Sequence, residues 1–154
     1  ASPLLKVSIV PRGSAALGYA QYLPRDRFLQ TTEQLLDSMS VSLGGRVAEA
    51  LTFGKITTGA QDDLDKVTKS AYNQIIDYGM NDEVGHLSYG QFTKDNPMAP
   101  RPYSDKTAQT IDREVRKLVD RAYARTEQIL LQHKEGLEQV AQLLLKKEVI
   151  NQEQ

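Results

Sequence analysis

The sequence contains no cysteine. Disulfides, cysteine zinc sites, thiolate nucleophiles and iron–sulfur ligation are therefore excluded within it. Histidine is nearly as scarce, with only His86 and His133, 47 positions apart. An HExxH zinc helix needs two histidines four apart, so these residues contain none. Excess charge is also missing: lysine plus arginine is 19, aspartate plus glutamate is 20, and the net charge is −1. Such a balance gives no electrostatic case for coating nucleic acid or an anionic membrane. Apolar runs stop at three residues, as at Leu143 to Leu145, against ~20 for a membrane span. No glycine-rich loop with lysine, no GxSxG and no basic-aromatic array occurs. That removes the usual nucleotide-binding, serine-hydrolase and nucleic-acid readings.

What is present suits one domain. A length of 154 residues, 40% hydrophobic and 25% charged, matches an ordinary globular domain with one core. Residues 1–10 lack the basic start and long apolar stretch of a signal peptide. The chain starts without methionine, close to an apparent strand, which predicts a fragment or a processed product.

Leu5, Val7 and Ile9 alternate with Lys6, Ser8 and Val10, a period of two that predicts a strand. Pro11-Arg12-Gly13-Ser14 has turn chemistry. Leu17 to Leu23 reads as a second strand, stopped by Pro24. From Thr31 the pattern turns helical. Thr31 and Gln34 fit a capping box, and Leu35, Met39, Leu43 and Val47 form a stripe widened by Leu36 and Ala50. Gly44-Gly45 lies inside this helix, at a cost of roughly 1 kcal/mol per glycine; close approach of another backbone is expected to compensate.

Thr57-Thr58-Gly59-Ala60 breaks the pattern and caps the next helix. Its stripe is Leu64, Val67, Ala71, Ile75 and Tyr78, with Gly79 as C-cap. Residues 81–102 read as a loop, with Pro97, Pro100 and Pro102 opposing helix. Ser104 caps a long helix that buries Ala108, Ile111, Val115, Leu118, Ala122 and Ile129. Asp112 and Arg116 form an acid-to-base pair on its exposed side. Lys134-Glu135-Gly136 marks a break before a short final helix carrying Leu137, Val140, Ala141 and Leu144. The expected fold class is mainly α with a small β-sheet: two strands, then four helices.

Several residues admit both a structural and a chemical reading. Asp62 and Asp63 fall in a first helical turn, where acids interact favourably with the helix dipole. Alternatively, one of them is a metal ligand or catalytic acid. One carboxylate alone cannot hold zinc, which takes three or four protein ligands, so a metal site would recruit residues from outside this chain. Glu49 lies beside Val47 and Ala50. It is either a solvated acid, paired with Arg46, or a buried carboxylate in need of partners. His86 reads as a loop histidine, and His133 as a cation suited to a helix C-terminus. Tyr19 and Tyr22 fit sheet packing, and an exposed strand edge there can also pair with a peptide. Arg12 reads as a solvated turn residue.

At these residues a family likeness emerges. LLKVSIVPRG (Leu4 to Gly13), ALGYAQYLP (Ala16 to Pro24), LGGRVAE (Leu43 to Glu49) and TTGAQDDL (Thr57 to Leu64) resemble the peptidase domain of the FtsH-type ATP-dependent zinc metalloproteases. Tyr78-Gly79-Met80 and Leu145 to Ile150 fit as well. The likeness spans nearly the whole chain and is nearest to the mitochondrial m-AAA proteases, the group of paraplegin and its AFG3-like partners.

The resemblance implies a mainly helical peptidase domain over 1–150, with 151–154 as a tail. It implies hexamers that use ATP and magnesium through an ATPase module. They would degrade or process unfolded and unassembled proteins at the matrix side of the mitochondrial inner membrane. In the family, two histidines of an HEAGH helix and a later aspartate hold zinc, which polarises the scissile carbonyl and activates water. That aspartate maps onto Asp63, and the acid of GGRxAE maps onto Glu49, near the metal centre. The strand residues Gly18, Tyr19 and Ala20 are candidates for substrate strand addition. The HEAGH helix, its catalytic glutamate, the ATPase module and the membrane segments are not among these residues. The isolated chain is therefore expected to bind no zinc and to cleave no peptide. The alternative expectation is a degenerate, non-catalytic homologue serving as a structural or assembly subunit.

Overall fold

Alternating residues place Leu4–Ser8 in a strand, β1, and the shorter Tyr19–Tyr22 in a second, β2. A computed structural model describes residues 3–11, 17–23, 29–90 and 100–151. The turn at Arg12 and the stop at Pro24 fall outside them. β1 is the centre of an antiparallel sheet ordered β2-β1-β3. Lys6, Val7 and Ser8 face Gln21, Ala20 and Tyr19 on one side, with an irregularity at Leu5. On the other side they face Asn151, Ile150 and Val149 of β3, Val149–Asn151. The expectation of two strands is therefore corrected to three. Three residues are too few to display a period of two, and their partner lies far away in sequence.

Two compact units divide the chain. The first draws on both ends of the chain, up to Leu29 and from Ile129 onward. It holds the sheet and a helix, Lys134–Lys147. That helix starts directly after His133 and contains Gly136, so the expected break shrinks to the single residue His133. The helix ends on Glu148 at φ 60°, whose N–H donates to Leu144 O at 2.7 Å. Its carbonyl then accepts from Ile9 N at 2.9 Å, extending the β1–β3 ladder.

The second unit, Gln30–Gln128, is helical. Helix α1, Thr32–Phe53, opens with the expected capping box: Gln34 N donates to Thr31 Oγ1 (3.3 Å) and Thr31 N to Gln34 Oε1 (3.2 Å). Leu35, Leu36, Met39, Leu43 and Val47 are buried. After a 3-10 turn, Thr58–Ala60, helix α2, Gln61–Ile76, buries Val67, Ala71 and Ile75 and packs on α1. Tyr78, expected in the stripe, is exposed. Helix α3, Asp105–Gln132, is capped by Ser104, whose Oγ accepts from Thr107 N at 3.3 Å. It buries Ile111, Val115 and Ala122. Side-chain bonds tie α3 to both other helices. Thr126 Oγ1 donates to Ala122 O (2.7 Å) and to Ser40 O of α1 (3.3 Å), Arg125 pairs with Asp37, and Tyr72 of α2 donates to Asp112 (3.0 Å). The helix at Lys134–Lys147 is α4.

Two expectations about glycine change. A Cβ on Gly44 or Gly45 would meet nothing within 4 Å among the described residues, so no close backbone compensates their cost. Burial does: each buried aliphatic of the α1 stripe contributes roughly 1.5–3 kcal/mol, more than the ~1 kcal/mol lost at each glycine. Gly79 is not the C-cap, because α2 ends at Ile76 with Asp77 capping. The last turn widens, with Asp77 N and Tyr78 N both donating to Asn73 O and Met80 N to Gln74 O. Gly79 supplies the left-handed φ of 60° that turns the chain back.

Glu114 was not legible as an inward residue. It is buried on α3 and satisfied there by Lys117 Nζ (2.7 Å), Asn81 Nδ2 (3.2 Å) and Arg113 Nε (3.3 Å). The Lys117 bond, and then those from Asn81 and Arg113, hold its carboxyl below the usual glutamate value against the opposing effect of burial.

The stripe predicts a contrast on one helix. Leu43→Ala should cost about 2–5 kcal/mol in chemical denaturation. Val41→Ala, at a position 46% exposed, should stay within roughly 0.5 kcal/mol. Equal losses at the two positions would contradict the assigned core.

Candidate functional site

Helix α1 ends at Phe53, and Gly54 takes the left-handed φ of 62° that closes it. This reversal carries the chain back past the last turn of α1, where Glu49 waits. Thr57 N donates to Glu49 Oε2 at 3.1 Å and Thr57 Oγ1 donates to Glu49 Oε1 at 2.6 Å. One residue thus occupies both oxygens of one carboxylate. The same hydroxyl accepts from Gly59 N at 3.3 Å, which makes Thr57 the N-cap of the 3-10 turn. The turn passes directly into α2, with Asp62 and Asp63 in its first turn.

The reading of Glu49 as a solvated acid or an Arg46 partner is amended. Glu49 is neither free in solvent nor primarily the partner of Arg46. The Thr57 hydroxyl, then the Thr57 N–H, hold its carboxyl below the usual glutamate value; the Arg46 charge adds a lesser effect and desolvation opposes all three. Thr57 was visible in the sequence as a helix cap, but its bond to Glu49 was not. A side-chain contact eight residues back has no periodic signature.

Asp63 satisfies the helix-dipole reading by position. Its Oδ1 accepts from Lys66 Nζ at 3.1 Å, and its side chain stays 46% exposed. An open cleft of about 500 Å3 is lined by Arg46, Ile56, Thr57, Thr58, Gln61 and Leu64, and Asp63 is not among these residues. Among the described residues no three His, Cys, Asp or Glu side chains converge to hold a metal. Asp63 offers zinc one acceptable oxygen, but zinc takes three or four protein ligands, so these residues do not form a zinc site by themselves. His86 and His133 are both exposed and belong to no such group.

The strand candidates Gly18, Tyr19 and Ala20 lie in the first unit, at the outer strand of the sheet. Gly18 has a structural reason to be glycine: a Cβ there would stand 2.6 Å from Ser8 O. Tyr19 is half-buried and Ala20 exposed. Among the described residues no helix is long and apolar enough to cross a membrane.

Comparison with known proteins gives a consistent result. The family model described as Peptidase family M41 matches residues 1–154. A mouse relative, the mitochondrial inner membrane m-AAA protease component AFG3L1, is 58% identical over 150 residues, covering 97% of this chain and 19% of its own length. The rice ATP-dependent zinc metalloprotease FTSH 3, mitochondrial, is 53% identical over 153 residues, covering 99% of this chain and 19% of its own length. The FtsH protease of Rhodothermus marinus is 50% identical over 151 residues, covering 96% and 22% respectively. The chain thus spans about a fifth of the length of these relatives.

The Glu49–Thr57 couple makes a prediction about pH. A carboxyl whose folded value is lowered contributes stability that is complete above its unfolded value and lost as pH falls through the folded one. Denaturation midpoints should therefore fall on acidification below the ordinary value of 4.5. Glu49→Gln should flatten that limb; a limb that superimposes on the parent's would refute the assignment.

Proposed function

The chain belongs to peptidase family M41, and from that premise we propose that it is the C-terminal body of the peptidase module of an ATP-dependent zinc metalloendopeptidase. Within it, Asp63 is the zinc-ligand carboxylate this chain contributes. The observation that carries the reading is the placement of Asp63: a part-exposed carboxylate in the first turn of α2, beyond a turn anchored on Glu49. The remaining ligands, two histidines, and the general-base glutamate come from an HEAGH helix that is not among these residues. This chain alone binds no zinc and cleaves nothing.

The further attributes rest on the relatives. Those most similar include components of a mitochondrial inner membrane m-AAA protease and mitochondrial ATP-dependent zinc metalloproteases. Accordingly we assign the intact protein to the mitochondrial inner membrane, with this portion on the matrix side. It works as a hexamer of like subunits and degrades or processes unfolded and unassembled membrane proteins. ATP, magnesium and the membrane are engaged through segments outside this sequence. The expected boundary at 150 moves by one residue: Asn151 of β3 still pairs with Lys6, so the peptidase part extends through it. The β2 edge at Gly18, Tyr19 and Ala20 receives substrate by strand addition.

Within the chain's own chemistry, Asp63 supplies an anionic oxygen and Glu49 holds the turn that presents it. In the intact protein, Asp63→Asn should weaken zinc binding by at least about 100-fold, since loss of a supporting contact alone typically costs 10–100-fold. Protein cleavage should fall with zinc content. Full zinc occupancy and unchanged cleavage would overturn the assignment. A parent polypeptide lacking any HExxH would instead support the non-catalytic assembly subunit.

A further inference from the structure

We propose that Thr57 is the positioning residue for Asp63, its hydroxyl transmitting the fixed place of Glu49 on α1 to the first turn of α2. This deepens the proposed function and rests on the reading of Asp63 as a zinc ligand. Three observations carry it.

The first is that the Thr57 hydroxyl is engaged both as donor and as acceptor. It donates to Glu49 Oε1 at 2.6 Å and accepts from Gly59 N at 3.3 Å, while the Thr57 N–H donates to Glu49 Oε2 at 3.1 Å. A hydroxyl has one proton to give, and here it points at a carboxylate, the stronger kind of acceptor. The rotation of the Thr57 side chain and the position of its backbone are thereby set together.

The second is that the connection between Thr57 and Asp63 is short and structured. Residues Thr58–Ala60 form the 3-10 turn, Gln61 N donates to Thr58 O, and α2 begins at Gln61. Thr57 itself is extended and Ala60, at φ −89° and ψ 12°, joins the turn to α2, so the two positions are coupled through a short hydrogen-bonded connection.

The third is that Asp63 has little else to hold it. Its ion pair with Lys66 leaves the two side chains 46% and 66% exposed. Pairs of that kind contribute roughly 0.2–1 kcal/mol. Ligand placement therefore depends on the backbone, which the packing of α2 on α1 holds along the helix and the Thr57–Glu49 link holds at its start.

The test uses the intact protease. Thr57→Val is nearly isosteric and removes both hydroxyl bonds; Thr57→Ser keeps them. Zinc affinity is read by chelator competition and peptidase activity by cleavage of labelled casein, with the unfolding midpoint recorded for each variant. Thr57→Val should weaken zinc binding about 10–100-fold, as loss of a contact supporting a ligand does, and Thr57→Ser should restore it. Because the contacts are shared, Glu49→Gln added to Thr57→Val should cost less than the two single losses combined. Zinc affinity unchanged in Thr57→Val, or lost equally in Thr57→Ser, would overturn the proposal. If Thr57→Val does not fold, Glu49→Gln and Thr57→Ser decide: Glu49→Gln must weaken zinc while Thr57→Ser does not. Asp63→Asn separates the layers. If it leaves zinc affinity intact, the ligand assignment itself fails and this inference with it. If it weakens zinc while Thr57→Val does not, only the positioning role fails.

Discussion

Both oxygens of the Glu49 carboxylate are bonded by Thr57, and this link fixes the turn that joins α1 to α2. Without it, α1 and α2 would be two amphipathic helices joined by a short exposed connection. Their apolar faces would still attract, but apolar burial is non-directional and tolerates small shifts along the helix axes. A charged group bonded to two donors does not. Hydrogen bonds to an ionised group are stronger than neutral ones, and the exposed setting of this pair screens much of that advantage. Its value lies in fixing one register of the turn.

Around that fixed point, burial supplies most of the stability. Met39, Leu43 and Val47 of α1 and Val67, Ala71 and Ile75 of α2 are almost fully excluded from water. Helix α3 joins through Ile111, Val115 and Ala122 and through polar bonds at Thr126, Arg125 and Asp112. Glu114 shows how a charge is accommodated in such a core. Its own side chain is 9% exposed, while its partners Arg113 and Lys117 remain more than half exposed. The cations keep their hydration and reach inward with their polar ends, which limits the desolvation cost that makes fully buried pairs unprofitable.

The legibility of these features followed the range of the interaction. The Thr31–Gln34 capping box, the Ser104 cap and the α1 stripe were readable because their partners lie within one helical turn or repeat at its period. β3 was not, because its pairing with β1 joins residues at opposite ends of the chain. Gly44 and Gly45 suggested a close backbone neighbour that the described residues do not supply. Composition records that a side chain is missing, never what occupies its place. At the candidate site, the sequence pointed to Asp63 and Glu49 as separate residues. Their connection through Thr57 is a tertiary bond between elements that periodicity treats independently.

The same distinction bears on the proposal that Asp63 is one ligand of a zinc site completed by other segments. A ligand borrowed from one segment must be held before its partners arrive, because ordering it at the moment of binding would cost conformational entropy. It must also be free enough to bind. Asp63 meets both demands by separating them. Its backbone is held by the turn, through Thr57 and Glu49. Among the described residues its carboxylate is held by Lys66, in an exposed pair whose release costs less than about 1 kcal/mol. Had Asp63 been anchored through its own oxygens, as Glu114 and Glu49 are, those oxygens would be committed. A structured turn carrying a lightly engaged side chain suits a ligand completed from elsewhere, and Asp63 has that arrangement where Glu49 and Glu114 do not.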